Sequence, residues 1–248
     1  MENIALQLYS IKELTSTDFL GTLKKVAEIG YDGVEFAGYF GTSAAELKKS
    51  LDSIGLRAAG SHIGISDLLL QLDHTIEYSL EIGSPYIICP GLPEEMRESA
   101  DSYKRTAESF DRIGERCKEH GIHFGYHNHG IEFQKFDGFT GLELLANHTQ
   151  PDHLFLELDT YWAEHAGFRS VDWIETLKER CRILHIKDMK SEQDKRNTEI
   201  GSGIMDFQSI TAAGKRYGVE WYTVEQEEYE IPQLESIGAS LKYLRQIL

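Results

Sequence analysis

The sequence predicts one α/β domain, residues 1–248, folded as a (β/α)8 TIM barrel. Three observations lead there. Apolar runs of strand length alternate with longer amphipathic stretches eight times over, the pattern of βα units around a parallel sheet. The length of 248 residues is close to the ~250 typical of a closed barrel of this kind. No GxGxxG or GxxxxGK(S/T) run follows any strand-like segment, which removes the usual support for an open, doubly wound, nucleotide-binding sheet.

The first strand is expected over residues 4–10 (IALQLYS). A helix over 16–29 follows, with Thr15, Ser16 or Thr17 as N-cap and Gly30 at its end. The second strand is 33–37, and its helix starts near Thr42 or Ser43 and ends before Gly55. The third strand is 56–62, and Ser66 or Asp67 opens a helix that stops at Gly83. The fourth, 85–89, is halted by Pro90-Gly91, and a long helix then runs over 99–120. Strand five is 122–128 with a helix over 138–147, and strand six is 153–159. A helical region over 161–180, interrupted at Gly167, leads to strand seven at 182–187. A helix ending at Gly218, strand eight at 221–226 and a last helix over 233–247 complete the chain. The polar loop 188–205 is longer than an ordinary βα connection, and its run KSEQDKRNTE reads as a lid over bound substrate, with Arg196 reaching a substrate oxygen; plain mobility is the alternative.

Composition narrows the function. The chain is 41% hydrophobic and 27% charged, ordinary for a globular protein. No stretch approaches the ~20 apolar residues that span a bilayer, and MENIALQLYS reads as the start of a strand rather than a signal peptide. The formal net charge of −16 lacks the basic footprint of a nucleic-acid binder and disfavours an anionic membrane surface. Cys89, Cys117 and Cys181 stand singly, without CxxC spacing, which argues against a disulfide framework or a thiolate zinc site and for a cytoplasmic setting.

In such a barrel the active site forms where strands end and βα loops begin. Barrel strands are buried on both faces and should read as nearly continuous apolar runs. LFLELDTYW, RILHIKDM and WYTVEQEE instead turn polar together at their C-terminal ends. Gln7, Tyr9, Ser10, Glu35 and His62 collect at the ends of the first three strands, and His127, Asn128 and His129 at the fifth. Glu132, Asp159, His185 and Glu225 come from four successive strand ends, and three carboxylates with one imidazole suit a single, fairly hard divalent ion: Mn²⁺, Co²⁺, Mg²⁺, Fe²⁺ or Zn²⁺. Each has a plainer reading alone. Asp159, before TYWAEH, is placed as a helix N-cap, and a lone strand histidine is more often a packed core or rim residue. The four together favour the metal. His127 and His129 share a side of an extended strand, and either is a ligand in place of Glu132 or an acid/base. His62, His129, Trp162, Lys187 and Arg196 are the candidate substrate contacts, Trp162 with core packing as its default role.

At these residues a resemblance appears. YHNHGIEF at 126–133, ELDTYW at 157–162, HIKD at 185–188 and VEQ at 224–226, with the opening LQLYS and SHIG at 61–64, resemble the sugar phosphate isomerase/epimerase family of xylose isomerase-like barrels, within the AP endonuclease 2 superfamily. The likeness runs from strand one to strand eight. It implies a Glu, Asp, His, Glu metal site, which carries onto Glu132, Asp159, His185 and Glu225, and His127 as a base. The family varies in how strand five presents its Glu, and here HNH precedes Glu132, which leaves that ligand open.

The leading expectation is a divalent-metal-dependent isomerase or epimerase that forms an enediolate from a keto-sugar, with Glu225 and either Glu132 or His127 as the acid/base pair across the mouth. Alternatives are a lyase or dehydratase acting on 3-keto-glycosides or inositol derivatives, and a non-catalytic sugar-binding relative. A DNA-repair endonuclease conflicts with the acidic charge. The expected partner is a small sugar, with no nucleic acid and no membrane; self-association into a homo-oligomer is left open.

Overall fold

The computed structural model describes residues 2–248. Eight parallel strands form a closed barrel: β1 (Asn3–Gln7), β2 (Gly33–Phe36), β3 (Arg57–His62), β4 (Tyr86–Cys89), β5 (His123–His127), β6 (Phe155–Asp159), β7 (Cys181–Ile186) and β8 (Trp221–Val224). The ring closes where β1 pairs with β8, Asn3 opposite Trp221. The expected fold class is therefore the observed one. No helix among the described residues is long and apolar enough to cross a membrane.

Local chemistry moves several boundaries. Strand β1 stops at Gln7 rather than Ser10, because the Gln7 side-chain oxygen accepts the Tyr9 N–H at 2.9 Å and the chain turns into a 3-10 helix over Leu8–Ile11. The helix expected over 16–29 is two helices, Lys12–Thr17 and Phe19–Ile29, parted at Asp18. Asp18, not Thr15, Ser16 or Thr17, is the N-cap of the second, accepting the Gly21 N–H at 3.0 Å. The stretch before Gly83 likewise breaks at Gln71 into Ile65–Leu70 and Leu72–Ile82. The helix after β5 starts at Gly141, where Thr140 and Glu143 cap one another.

The 188–205 loop has its own fold. Asp188–Met189 pairs with Asn197–Thr198 as a short antiparallel ladder. The buried Asp188 carboxylate accepts the N–H groups of Met189 (2.8 Å), Gly201 (2.8 Å), Gly203 (2.9 Å) and Met205 (3.2 Å). The glycine-containing turn at 200–203 thus spends its N–H groups on a protein carboxylate, as a structural turn does.

Period-two alternation sorts the strand residues. The outward set packs against the surrounding helices in the main core, for example Leu6, Val34, Phe124, Leu156 and Tyr222. The inward set changes character along the barrel axis. Ala5, Ala59, Tyr86, Ile88, Phe155, Ile183 and Trp221 form an apolar plug. One or two inward positions further along lie Gln7, Glu35, His62, Glu157, Asp159 and His185. The plug gives these polar residues a dry floor.

Gly125 is needed for that plug. A Cβ there would lie 2.3 Å from the Phe155 ring, which crosses the barrel interior and packs edge-on against Tyr86 with ring centroids 5.3 Å apart. Gly125→Ala should destabilise the protein by about 1–3 kcal/mol, the usual cost of overpacking a filled core. Urea denaturation measures it; an unchanged midpoint would show that Phe155 is not confined.

Candidate metal centre and substrate pocket

The C-terminal half of the barrel interior is lined by carboxylates and imidazoles, nearly all inaccessible to solvent: Glu35, Glu157, Asp159 and His185 are each 0% exposed. Strand register explains the gathering. His127 pairs with Glu157 across β5–β6, Asp159 with His185 across β6–β7, and Gln7 with Glu35 across β1–β2. Neighbouring strands thus deliver polar side chains at similar heights in the ring.

Within the ring each charge meets its opposite. His185 stands between two carboxylates, Nδ1 3.0 Å from Glu225 Oε2 and Nε2 3.0 Å from Glu35 Oε1. His62 Nε2 lies 2.7 Å from Glu35 Oε1 and 2.8 Å from Glu157 Oε2. Gln7 Nε2 donates to Glu35 Oε1 at 2.5 Å. Lys187 Nζ is 2.5 Å from Glu227 and 3.8 Å from Glu225, with the Tyr161 and Trp162 rings 5.4 and 5.5 Å from it.

Protonation follows. Burial opposes the charge on His62, yet Glu35 and Glu157 outweigh it and push its pKa up to about 10. His185 is raised well above the ordinary imidazole value for the same reason, Glu157 and Glu35 overcoming burial. Glu35 and Glu225 are held below the carboxylate range against their burial, the first by His62 and His185, the second by Lys187 and His185. His127 is the exception. Burial and the neighbouring His185 charge lower it well below the usual value, so it stays neutral.

His127, Asp159, His185 and Glu225 present ligand atoms that all lie within 4.8 Å of one another. Asp159 reconciles its two expected roles. Oδ1 caps the helix Thr160–His165 by accepting the Trp162 N–H at 3.0 Å, while Oδ2 is buried with no hydrogen-bond partner among the described residues. Burial, with the Glu225 charge nearby, raises its pKa to about 7 despite Lys187. A buried acceptor oxygen without a donor, facing imidazole and carboxylate, fits a cation.

The structure does not bring Glu132 to this cluster. After β5 the chain wraps through a 3-10 helix, Gly130–Phe133, which turns Glu132 back beneath the loop. Its Oε1 accepts the Tyr126 hydroxyl at 2.8 Å and its Oε2 the His129 N–H at 2.7 Å. Both oxygens are spent on holding the strand end, and His127, the alternative that the sequence leaves open, stands in the cluster. Arg196 is likewise not brought to the cluster: it forms a two-point ion pair with Asp194 on the surface, with Glu230 3.9 Å away. The structure brings in Glu157 and Glu35 instead. Glu157 lies two residues before Asp159 on one strand, so period two alone places both on the same face, as it does His185 and Lys187.

A pocket of about 390 Å³ opens over this cluster, lined by Tyr9, Ala37, His62, Pro90, His127, His129, Glu225 and Glu227. Trp162 stands behind His129, ring centroids 5.8 Å apart. The floor is charged and the walls partly apolar, which suits a small polyhydroxylated molecule presenting oxygens downward.

The model of one protein family, described as xylose isomerase-like TIM barrel, matches residues 23–247. A sugar phosphate isomerase/epimerase from Parabacteroides distasonis is 29% identical, with TM-score 0.84, and the match covers 98% of this chain and 93% of that one. The structure of a protein named IOLI, with a bound zinc atom, superimposes with TM-score 0.78 at 14% identity, covering 99% of this chain and 97% of that one. Among curated proteins, an inosose dehydratase of Mesomycoplasma hyopneumoniae is 24% identical over 192 residues, 69% of this chain. The chain spans 62% of the length of that relative.

The ligand assignment divides Glu132 from Asp159. Asp159→Ala should abolish tight Mn²⁺ binding, whereas Glu132→Gln should retain it, because only the first removes a ligand-capable oxygen from the cluster. Calorimetric titration with Mn²⁺, with circular dichroism to confirm folding, gives the comparison. Loss of Mn²⁺ in Glu132→Gln alone would restore the ligand set expected from the sequence.

Proposed function

The chain belongs to the family of xylose isomerase-like TIM barrels, and we propose that it is a divalent-metal-dependent enzyme that abstracts a proton next to the carbonyl of a keto-sugar or related polyol. The observation that carries this is the convergence of His127, Asp159, His185 and Glu225 on one point beneath a sugar-sized pocket. A divalent ion bound by these residues would supply Lewis-acid polarisation of the substrate carbonyl.

The chain's own residues do the rest. Glu225 is kept ionised by His185 and Lys187 and reaches the pocket wall from the end of β8. His127 is kept neutral and reaches the pocket from β5, three strands away around the ring of eight. A carboxylate and a neutral imidazole are both bases, so the one that delivers a proton must first take one up from solvent. Removal of the substrate proton by one and delivery of a solvent-derived proton by the other, on the opposite face, would invert the carbon, which is epimerisation. Return to the neighbouring carbon gives the aldose–ketose isomer. His129 and His62 line the same pocket and offer donors to substrate hydroxyls. Lys187, ion-paired with Glu227, fixes Glu225 rather than meeting solvent.

A dehydratase starts with the same deprotonation and then loses a hydroxyl group from the next carbon. The inosose dehydratase relatives favour this second reading, and the isomerase/epimerase relative at higher identity favours the first. Turnover of keto-sugars and inososes with Mn²⁺ in D₂O separates them. Epimerisation or isomerisation should place deuterium on the carbon beside the carbonyl without change of mass otherwise, and dehydration should release water. Glu225→Gln should slow the exchange by about 10²–10⁴, with Mn²⁺ content measured alongside so that a lost ion is not mistaken for a lost base. Product formed with no solvent deuterium in either reaction would sink the proton-transfer reading.

A further inference from the structure

Beneath the outer set lies a second group of ligand atoms, which shares His127 and His185 with it and adds His62 and Glu157. His62, His127, Glu157 and His185 also present atoms within 4.8 Å of one another. Around Glu157 Oε2 stand His62 Nε2 at 2.8 Å, His127 Nδ1 at 3.2 Å and His185 Nε2 at 3.3 Å. Zinc bonds of ~2.0–2.1 Å to nitrogen and oxygen put tetrahedral ligand atoms about 3.3–3.4 Å apart. The spacings of His127 and His185 to Glu157 are therefore already near those of a tetrahedral centre, and His62 stands closer, at hydrogen-bond distance. Glu157 and His185 are 0% exposed, and the His62 side chain is 11% exposed.

The polar atoms here are also left wanting. Glu157 Oε1, Glu35 Oε2 and His127 Nδ1 are buried with no hydrogen-bond partner among the described residues, although His127 Nδ1 lies close to Glu157. Buried acceptors without donors cost free energy unless an ion or a water meets them. The Gln7 amide donates to Glu35 Oε1, and Oε2 of that carboxylate has no partner among the described residues.

We propose that His62, His127, His185 and Glu157 form an inner seat for Zn²⁺, an alternative to the outer seat of His127, Asp159, His185 and Glu225. Three imidazoles and one carboxylate in a tetrahedral, water-excluded setting select zinc, while the carboxylate-richer outer set, open to the pocket, favours a harder ion such as Mn²⁺. His185 makes the two seats exclusive. Its Nε2 faces the inner set and its Nδ1 faces Glu225. A metal-bound histidine commonly donates its other N–H to a carboxylate. With zinc inside, Nδ1–H donates to Glu225, and with manganese outside, Nε2–H donates to Glu35 or Glu157. Each ion thus turns the shared ring against the other seat, and zinc acts as a competitor of the working ion. The competition rests on the outer seat assigned under the proposed function; the inner seat itself does not.

Calorimetric titration and metal analysis after dialysis test this on the intact protein. Wild type should hold one ion per chain with either metal, and bound Zn²⁺ should exclude Mn²⁺. His62→Ala and Glu157→Gln should weaken Zn²⁺ by at least the ~10- to 100-fold that loss of a supporting partner costs, and in His62→Ala Mn²⁺ affinity should be little changed. Asp159→Ala should do the reverse, and Co²⁺ added to it should show the intense visible bands of tetrahedral cobalt. His62 sits at the pocket edge, so its variant reports even where Glu157→Gln fails to fold. Unchanged Zn²⁺ affinity in His62→Ala, or equal loss of both metals from it, overturns the inner seat. Two ions bound together overturn the exclusivity. Retained Mn²⁺ in Asp159→Ala overturns the outer seat instead and leaves the inner one standing on its own zinc data.

Discussion

Charge balance inside a closed ring of strands governs this molecule. Four carboxylates, Glu35, Glu157, Asp159 and Glu225, occupy the polar half of a barrel interior from which water is nearly excluded. A lone buried carboxylate costs several kcal/mol after relaxation, and the cost falls only where a cation and good hydrogen bonds meet it. His62, His185 and Lys187 are those cations, and they hold positions that strand register gives them. Removing one would leave its partners uncompensated, so the cluster constrains itself: each residue is needed for the burial of the next. An ion entering the ring must displace protons from these imidazoles, which ties metal affinity to pH.

The same constraint explains what was legible in the sequence. Polar residues at the ends of otherwise apolar strands stand out because they cost so much to bury, and Asp159, His185 and Glu225, which the barrel brings together, stand out that way. His127 was open as an alternative ligand for the same reason. Glu157 was harder to see. It sits inside FLELD, two residues short of the strand end, where a single glutamate in an apolar run is easily taken for an irregularity. Its role depends on His62 and His127, which lie far away in the chain and meet it only when the barrel closes.

Glu132 lies outside the cluster for a different reason. Within a strand, period two fixes which face a side chain takes. Past His127 the chain leaves the strand, and the 3-10 helix at Gly130–Phe133 decides direction by its own hydrogen bonds. Tyr126, an outward-facing residue, then captures Glu132. Helix breaks at Asp18 and Gln71 escaped the sequence similarly, because amphipathic periodicity continues across a one-residue interruption. The long loop contains a comparable case. Its length suggested a lid, but the Asp188 carboxylate collects four N–H groups at its base and the Tyr161 hydroxyl donates to the Lys195 carbonyl at 2.6 Å. Any closure therefore has to come from the tip, around Asp194 and Arg196, rather than from the loop as a whole.

The division between floor and wall bears on how one barrel serves several reactions. Floor residues are interlocked by charge, so a change in one is opposed by the others. Wall residues such as Tyr9, Ala37 and Pro90 stand on βα loops and carry no part of that balance. Tyr9 is 42% exposed and packs against a lysine, Lys12, rather than against the ring. A substitution in the wall reshapes the pocket without unsettling the carboxylates below. In the proposed reaction, deprotonation beside a carbonyl belongs to the floor. Which sugar enters, and whether the resulting anion is reprotonated or expels a neighbouring hydroxyl, would then depend on how the wall holds the substrate's other oxygens. Epimerases and dehydratases on one scaffold are the expected result of a rigid floor beneath a replaceable wall.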